Sequence, residues 1–231
     1  SFPSVFGGNN TAPASAPQSA RTPDAWYGES WRSSPLAELR VNPLCPSLLV
    51  PEGCECTLLM PRLAPGFFSD GRQLAISDPR GSPVMRVAFS VPTRTSLPLM
   101  PSAKGSSEGS RLVLSDMADE VLAFCQDDKA KTAGAKVVIS INSPEGMFAT
   151  FQQSGNGTYE VTGRRAWKLN VMRRSVPGGT GLALLDESGQ LLAVCEPSDE
   201  DRSARSVRID ANVDAGLVIL CLLCSDVVDM V

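Results

Sequence analysis

The chain has 231 residues, 42% of them hydrophobic, and its 21 Lys and Arg against 25 Asp and Glu give a net charge of −4. This length supports one core with an appendage. The acidic balance argues against nucleic acid as the main partner, because phosphate binding requires an excess of basic side chains.

Histidine is absent from the sequence, which excludes Ser-His-Asp and Cys-His catalytic units and histidine-ligated zinc or haem. Lys, Tyr, Cys and carboxylates can still perform acid–base chemistry, so enzymes are disfavoured rather than excluded. We expect a non-catalytic protein without a cofactor. Aromatic residues make up only 6% of the chain, with 19 Gly and 18 Pro, a balance that favours short strands joined by turns over long helices.

Residues 1–43 differ from the rest, being rich in Ser, Pro, Ala and Gly. Alone, such a segment buries too little apolar area to offset its ordering entropy, so we expect an extended arm. Its large aromatic side chains, Trp26, Tyr27 and Trp31, are typical of anchors in a partner's pockets; the alternative is that they pack on the chain's own domain. The chain begins at Ser1 in an acid-poor, Ser/Ala-rich stretch, which fits processing after organelle import, although trimming of the sequence explains it as well.

Four segments then share one pattern: an apolar strand, a tight turn of Asp, Asn, Ser, Pro or Gly, and a second apolar strand. This pattern predicts β-hairpins. In the second and third copies, Asp119 and Ser143 replace the Gly and the Asp of the others. With the strands between them, about twelve strands are expected, and a sheet of that length closes to remove its edges. The four hairpins span residues 74–89, 112–125, 138–151 and 182–195.

The seven cysteines do not form a metal-binding pattern, since no C-x-x-C pair is matched by a second one. Most lie in apolar segments, where a free Cys acts as a small hydrophobic residue, so we expect a reduced protein without a metal site. Cys54 and Cys56 are the exception, because a strand would point them the same way. The cysteines in apolar segments are Cys125, Cys195, Cys221 and Cys224.

The run GLVILCLLC near the end of the chain predicts a helix over residues 211–229, with Asp210 as its N-cap. A helix that is apolar all round is buried in protein or in lipid, and about ten apolar residues fall short of the roughly 18 to 20 that span a bilayer. A redox role for Cys221 and Cys224 is disfavoured, because apolar burial raises a thiol pKa. We therefore expect a core helix, with five side chains closed to solvent: Leu217, Ile219, Leu220, Leu222 and Leu223.

The ending LALLDESGQLLAVC followed by SVRIDANVDAGLVILCLLCSDVVDMV resembles the LURP-one-related proteins, which share a superfamily with tubby C-terminal domains and phospholipid scramblases. The resemblance spans residues 42–231 and is weakest over residues 129–174. It implies a mainly β fold, a closed antiparallel barrel of about twelve strands around one buried C-terminal helix. The expected organisation is an arm over residues 1–43 and the barrel over residues 44–231.

The resemblance implies no catalytic residues and offers two roles, scaffolding and lipid contact. In the first, the protein is an accessory subunit that docks through arm and barrel on a larger assembly of protein subunits, in an organelle. A plastid and a photosynthetic membrane complex are expected, with peripheral contact to lipid or surface pigment. In the second, it binds anionic phospholipid at the cytoplasmic face of a membrane. The basic side chains around Trp167 that would serve this second role are Arg164, Arg165, Lys168, Arg173 and Arg174. Strand alternation gathers these charges at the ends of the strand, which favours ordinary solvated turn charges over a lipid site.

Overall fold

A computed structural model describes the chain in seven ranges, the first of which begins with the last two residues of the expected arm. They cover residues 42–63, 73–90, 111–127, 137–164, 167–199, 201 and 203–230. The described ranges contain twelve β-strands and one α-helix, α1, over Ala215–Met230. The strands are β1 Cys56–Pro61, β2 Gln73–Ser77, β3 Pro83–Ser90, β4 Arg111–Ser115, β5 Val121–Asp127, β6 Val138–Ser143, β7 Gly146–Gly155, β8 Thr158–Gly163, β9 Lys168–Val176, β10 Gly179–Asp186, β11 Leu191–Pro197 and β12 Ala204–Ile209.

The strands form one closed antiparallel barrel, which confirms the predicted fold. Each strand pairs with its neighbour in the chain, and β12 closes the barrel by pairing with β1 over six residue pairs, from Cys56 opposite Ile209 to Pro61 opposite Ala204. Closure leaves no unpaired sheet edge, which is how an up-and-down sheet of this size avoids adding strands from other chains.

Helix α1 fills the barrel, as predicted. The five leucine and isoleucine side chains expected to be closed to solvent are at most 2% exposed. Side chains from Leu58 and Met60 on β1 and from Val207 and Ile209 on β12 face this helix from the barrel wall and are also buried. Among the described helices, none has the length and the apolar character needed to cross a bilayer.

The barrel has two different ends. At one end lie the connections that join β2 to β3, β4 to β5, β6 to β7, β8 to β9 and β10 to β11, together with the start of α1; we call this the hairpin end. At the other end the strands run into the remaining connections and α1 finishes; we call this the mouth end. Four of the mouth-end connections include residues outside the described ranges, at 64–72, 91–110, 128–136 and, between β11 and β12, residues 200 and 202.

Three hairpin turns share one geometry, in which an Asp carboxylate accepts two backbone N–H groups across the turn. Asp78 accepts from Arg80 at 2.8 Å and from Ser82 at 2.9 Å; Asp116 and Asp186 accept from the residues at the same spacing. The fourth residue of each turn has a positive φ, which a glycine adopts in two turns and Asp119 adopts in the second, with φ +63°. The β6–β7 turn is shorter, and the Ser143 hydroxyl accepts a single backbone N–H, from Glu145 at 3.2 Å.

The start of α1 differs from the prediction. The helix begins at Ala215 rather than at residue 211, because Asn212 adopts a left-handed backbone with φ +60°. Asp214, not Asp210, is the N-cap, and its carboxylate accepts the Leu217 N–H at 3.0 Å. Next in the chain, Gly216 must be a glycine, since a Cβ there would lie 2.6 Å from the Cys45 sulfur.

Candidate functional site

The predicted arm anchors, Trp26, Tyr27 and Trp31, lie outside the described residues, as do all of residues 1–41. The structure does describe how the chain enters the barrel from that side. Leu44 and Cys45 are buried, and the Cys45 N–H donates to the Asp214 carboxylate at 2.7 Å.

The segment between Leu44 and Val50, which we call the strap, ties this entry point to the start of α1. The Val50 N–H donates to the Val213 carbonyl at 3.0 Å, and the Val50 carbonyl accepts the Asn212 N–H at 2.8 Å. Burial raises the pKa of the Asp214 carboxyl, and the N–H groups of Cys45 and Leu217 that donate to it limit that rise. The strap therefore fixes the point from which the preceding residues leave the barrel, at the hairpin end.

The predicted basic region divides into two groups at opposite ends of β9. Arg164 and Lys168 lie at the hairpin end, Arg173 and Arg174 lie at the mouth end, and Arg165 is outside the described residues. Lys168 and Arg173 are five positions apart in β9, or about 16 Å along the strand. The two mouth-end arginines also face different ways. Because side chains alternate along a strand, Arg173 faces inward at the mouth and Arg174 faces outward.

Lys168 and Arg173 each have a carboxylate partner. Lys168 Nζ lies 3.5 Å from Glu160 Oε1 on β8, and Arg173 forms an ion pair with Asp229 at the end of α1. Trp167 is structural, since its indole covers the backbone of Gly163, where a Cβ would lie 1.9 Å from a ring carbon, and packs on Phe148 at 5.5 Å between ring centroids. The sequence places these charges close together, and the barrel does not.

The mouth end contains an open cavity of about 280 Å³ that was not predicted from the sequence. Three arginines, Arg62, Arg173 and Arg205, line it together with Asp226 and Asp229. Each arginine stands at the mouth-end limit of an inward-facing row of apolar residues. The remaining lining side chains are Leu63, Thr180, Leu182 and Cys195.

The signal for this cluster was present in the sequence. In β12, alternation along Arg205, Val207 and Ile209 puts the arginine on the same face as two core residues, and Arg62 continues the row of Leu58 and Met60. An inward arginine at the end of a strand indicates a partner near the barrel axis, and the end of α1 supplies one.

Two of the three arginines bind the end of α1. Arg205 is 8% exposed, and its two terminal nitrogens donate to the two carboxylate oxygens of Asp226. Burial acts to lower the pKa of Arg205, and the hydrogen bonds to Asp226 outweigh it, so that the pKa is raised. The Nε of Arg205 is buried without a hydrogen-bond partner among the described residues.

The second ion pair, between Arg173 and Asp229, also involves a tyrosine hydroxyl. Asp229 accepts from the Tyr159 hydroxyl as well as from Arg173, which joins β8, β9 and the helix end. Burial raises the pKa of Tyr159, and the nearby Arg173 charge opposes this rise. A helix C-terminus already carries partial negative charge, so two further carboxylates there are unfavourable unless cations face them. The arginines supply that compensation, and neither carboxylate is left available for a metal ion.

The cysteines behave mostly as core residues. All seven are free thiols, and Cys45, Cys125, Cys195, Cys221 and Cys224 are buried. The shortest described approach is 3.4 Å, between the sulfur atoms of Cys125 and Cys224. Burial raises the pKa of Cys195 to about 11 and that of Cys221 well above its usual value, which disfavours a reactive thiolate at either position.

Cys54 is exposed and Cys56 half-buried at the start of β1, and burial raises the pKa of Cys56. Within the described ranges, no three Cys, Asp or Glu side chains are placed to hold a metal ion. Cys54 therefore carries the most accessible of the seven thiols, and its neighbour two residues on is partly covered by the barrel.

Comparison with solved structures gives a match to the X-ray structure of a protein from Arabidopsis thaliana. The two chains are 13% identical and superpose with a TM-score of 0.52, over 80% of this chain and 97% of the other. At this identity the similarity concerns the fold. No family model matches the chain, and no curated protein matches it. The fold is therefore that of a twelve-stranded barrel closed around a helix, seen also in a plant protein.

Proposed function

We propose that this protein is a non-catalytic accessory subunit that docks on a larger assembly through residues 1–43 and the barrel surface. The observation that carries this proposal is the occupation of the barrel by its own helix. Barrels that bind small molecules keep room inside for them, whereas α1 here is buried from Ala215 to Ser225. Binding is thereby directed to the outer surface and the ends.

The strap supports the same proposal. A docking arm binds more tightly when its base is fixed, because less freedom is lost when the arm is held. The buried Leu44 and Cys45 and the hydrogen bond from Cys45 to Asp214 provide such a base. We also propose distant LURP-one-related membership and an organellar, plastid location, on the sequence resemblance and the composition of the arm.

The test is deletion of residues 1–41 from tagged protein expressed in its own cells. Asn42 and Pro43 are kept so that Leu44, whose N–H donates to Asp214, remains an amide. We expect the shortened protein to melt as the full chain does and to lose its co-purifying subunits, which quantitative mass spectrometry measures. Retention of those subunits at the full-length level would refute docking through the arm.

A pair of full-length variants localises the contact. Replacing Trp26, Tyr27 and Trp31 by Ala should reproduce the loss, since large aromatic side chains supply most of the energy at such contacts. Replacing Phe2 and Phe6 by Ala removes aromatic side chains from the same arm and should leave co-purification unchanged.

The alternative role, binding of anionic lipid, requires the basic side chains to act together, and the two groups on β9 lie at opposite ends. Flotation with phosphatidylserine or phosphoinositide vesicles tests it. Vesicle binding that is lost in an Arg164→Gln, Lys168→Gln variant or in an Arg174→Gln variant would favour the lipid role over docking.

A further inference from the structure

The outer face of the barrel near the hairpin end carries exposed apolar side chains on neighbouring strands. Val121 on β5 is 44% exposed and Met147 on β7 is 39% exposed. Apolar side chains are common on protein surfaces when single, and they indicate an interaction site when they form a continuous area.

The strand register places these side chains on one outer face, with Asn142 between Phe124 and Met147. Val113 pairs with Phe124, Phe124 pairs with Asn142, and Asn142 pairs with Met147. Directly paired residues have Cβ atoms about 5 Å apart, so one row crosses β4 to β7. Val121 pairs with Ser115, one step nearer the hairpin end on the same outer face. We call Val113, Val121, Phe124 and Met147 the apolar patch.

Carboxylates surround the patch on its hairpin side. The β4–β5 turn contributes Asp116, Asp119 and Glu120, and the β6–β7 turn contributes Glu145. Arg86 pairs with Asp119 at 2.9 Å, and the Asp119 side chain is still 70% exposed. Glu120 and Glu145 are exposed, and neither forms an ion pair with a cation in the described ranges. This rim therefore carries net negative charge beside an apolar surface.

The opposite side of the patch has the opposite charge. The Arg111 guanidinium lies over the Phe124 ring, 5.4 Å from its centroid. A segment that binds across the patch therefore meets carboxylates near the hairpin turns and a cation further along the strands. This polarity fixes the direction in which a charged partner can bind.

We propose that the apolar patch binds a basic amphipathic segment of a partner protein, as the barrel contact of the docking role proposed above. Its apolar side chains pack on Val121 and Met147, and its Lys and Arg side chains face Glu120 and Glu145. Met suits such a surface because its flexible thioether adapts to different apolar shapes, and apolar anchors with complementary charges are the usual means of holding an amphipathic helix. The acidic rim also repels anionic membranes, which makes a protein segment the occupant.

The test uses the purified full chain and a synthetic Leu/Lys peptide of about four helical turns, with a Leu/Glu peptide of the same pattern as its control. Fluorescence anisotropy at low ionic strength measures the Kd. We expect the basic peptide to bind, to weaken as salt is added, and to bind more tightly than the acidic peptide. Equal binding of both peptides, or no binding of either, would overturn the proposal.

Two double variants separate the apolar and the charged contributions. Val121→Thr with Met147→Gln, and Glu120→Lys with Glu145→Lys, should each weaken binding of the basic peptide about tenfold, because the first removes apolar contact and the second reverses the charge of the rim. Matched controls are Met172→Gln, an exposed Met on the outer face of β9, and Asp199→Lys, an exposed carboxylate at the mouth end. Both controls should bind as the parent does, and a loss equal to that of the patch variants would contradict the assignment.

Two other occupants of the apolar patch, a second copy of the chain and an anionic membrane, can be tested directly. If the parent chain dimerises in sedimentation and the Val121→Thr, Met147→Gln variant is monomeric, the patch is a self-contact and the proposal fails. If that variant loses binding to phosphatidylserine vesicles, the patch contacts lipid and the proposal fails. The docking role is refuted by a different result: the chain lacking residues 1–41 would still co-purify with its subunits. That result does not depend on whether the peptide binds to the patch.

Discussion

The two ends of the barrel hold the same helix in different ways. At the hairpin end, Asp214 and the strap hold the start of α1 with backbone N–H groups, within a network of turns made by short stretches of chain. At the mouth end, ion pairs join Arg205 to Asp226 and Arg173 to Asp229, from strands to the helix. Backbone hydrogen bonds therefore position the start of the helix, whereas ion pairs between side chains position its end.

Breaking the mouth-end pair should have the largest effect. Asp226→Ala leaves the buried Arg205 charge unpaired, and we expect a loss of about 3–5 kcal/mol in the free energy of unfolding, measured with urea. The matched double variant, Arg205→Met with Asp226→Leu, removes both charges and should recover most of that loss. A double variant as unstable as the single one would show that the pair acts through shape rather than charge.

The hairpin end should respond next, and with a pH dependence of its own. The pKa of Asp214 is raised in the folded state above its usual value of 3.8. The resulting cost to stability is therefore fully present above the folded pKa, is relieved as the pH falls through it, and is absent below 3.8.

Asp214→Asn cannot titrate and should cost about 2 kcal/mol at neutral pH, since the amide is a weaker acceptor for the N–H groups of Cys45 and Leu217. Because only the parent chain gains stability from protonation, its advantage over the variant should grow as the pH falls toward 4, in urea unfolding at several pH values. Parallel pH curves for the two proteins would contradict the raised pKa.

Among the turns of the hairpin end, the stability lost on replacing the Asp should increase with the number of hydrogen bonds that its carboxylate accepts. The Asp186 carboxylate accepts from two backbone N–H groups and from the Ser188 hydroxyl and is 5% exposed, whereas Asp78 accepts two and is only half-buried. We expect Asp186→Ala to cost about 2 kcal/mol and Asp78→Ala about 1 kcal/mol in thermal or urea unfolding. Equal costs would show that burial of the carboxylate adds nothing.

The smallest effect should come from Arg62 at the mouth end. This side chain is exposed and forms no ion pair with any carboxylate in the described ranges, so Arg62→Ala should change stability by less than about 0.5 kcal/mol. A larger loss in the same urea measurement would mean that Arg62 helps to hold the end of α1.

The contrast between the ends also explains what the sequence could predict. The turns and the buried helix follow from local patterns, since Asp78 and Gly81 stand three residues apart and the run from Gly216 to Cys224 has no polar face. The mouth-end contacts are long-range: Tyr159 and Asp229 are 70 residues apart. Neither the composition nor the local spacing of residues predicts a contact between two residues so far apart in the chain.

The late start of α1 differs from the prediction for a long-range reason, because Asn212 and Val213 form hydrogen bonds with Val50, at the far end of the domain sequence. The separation of the basic side chains of β9 follows from the sequence, because strand alternation and a rise of about 3.3 Å per residue place them at the two ends of the strand. Strand alternation alone, applied to Arg205, is enough to predict that this arginine faces inward.

The pairing of β12 with β1 determines when this protein can fold during its synthesis. The two strands that close the barrel are the first and the last to be made, and the helix that fills it follows the last strand. Until then a nascent chain presents two open edges and an empty apolar interior, the surfaces that promote aggregation. Loops of this length close slowly. We therefore expect ribosome-bound chains that stop before Ala215 to be protease-sensitive throughout, and protection to appear in a single step once α1 has emerged.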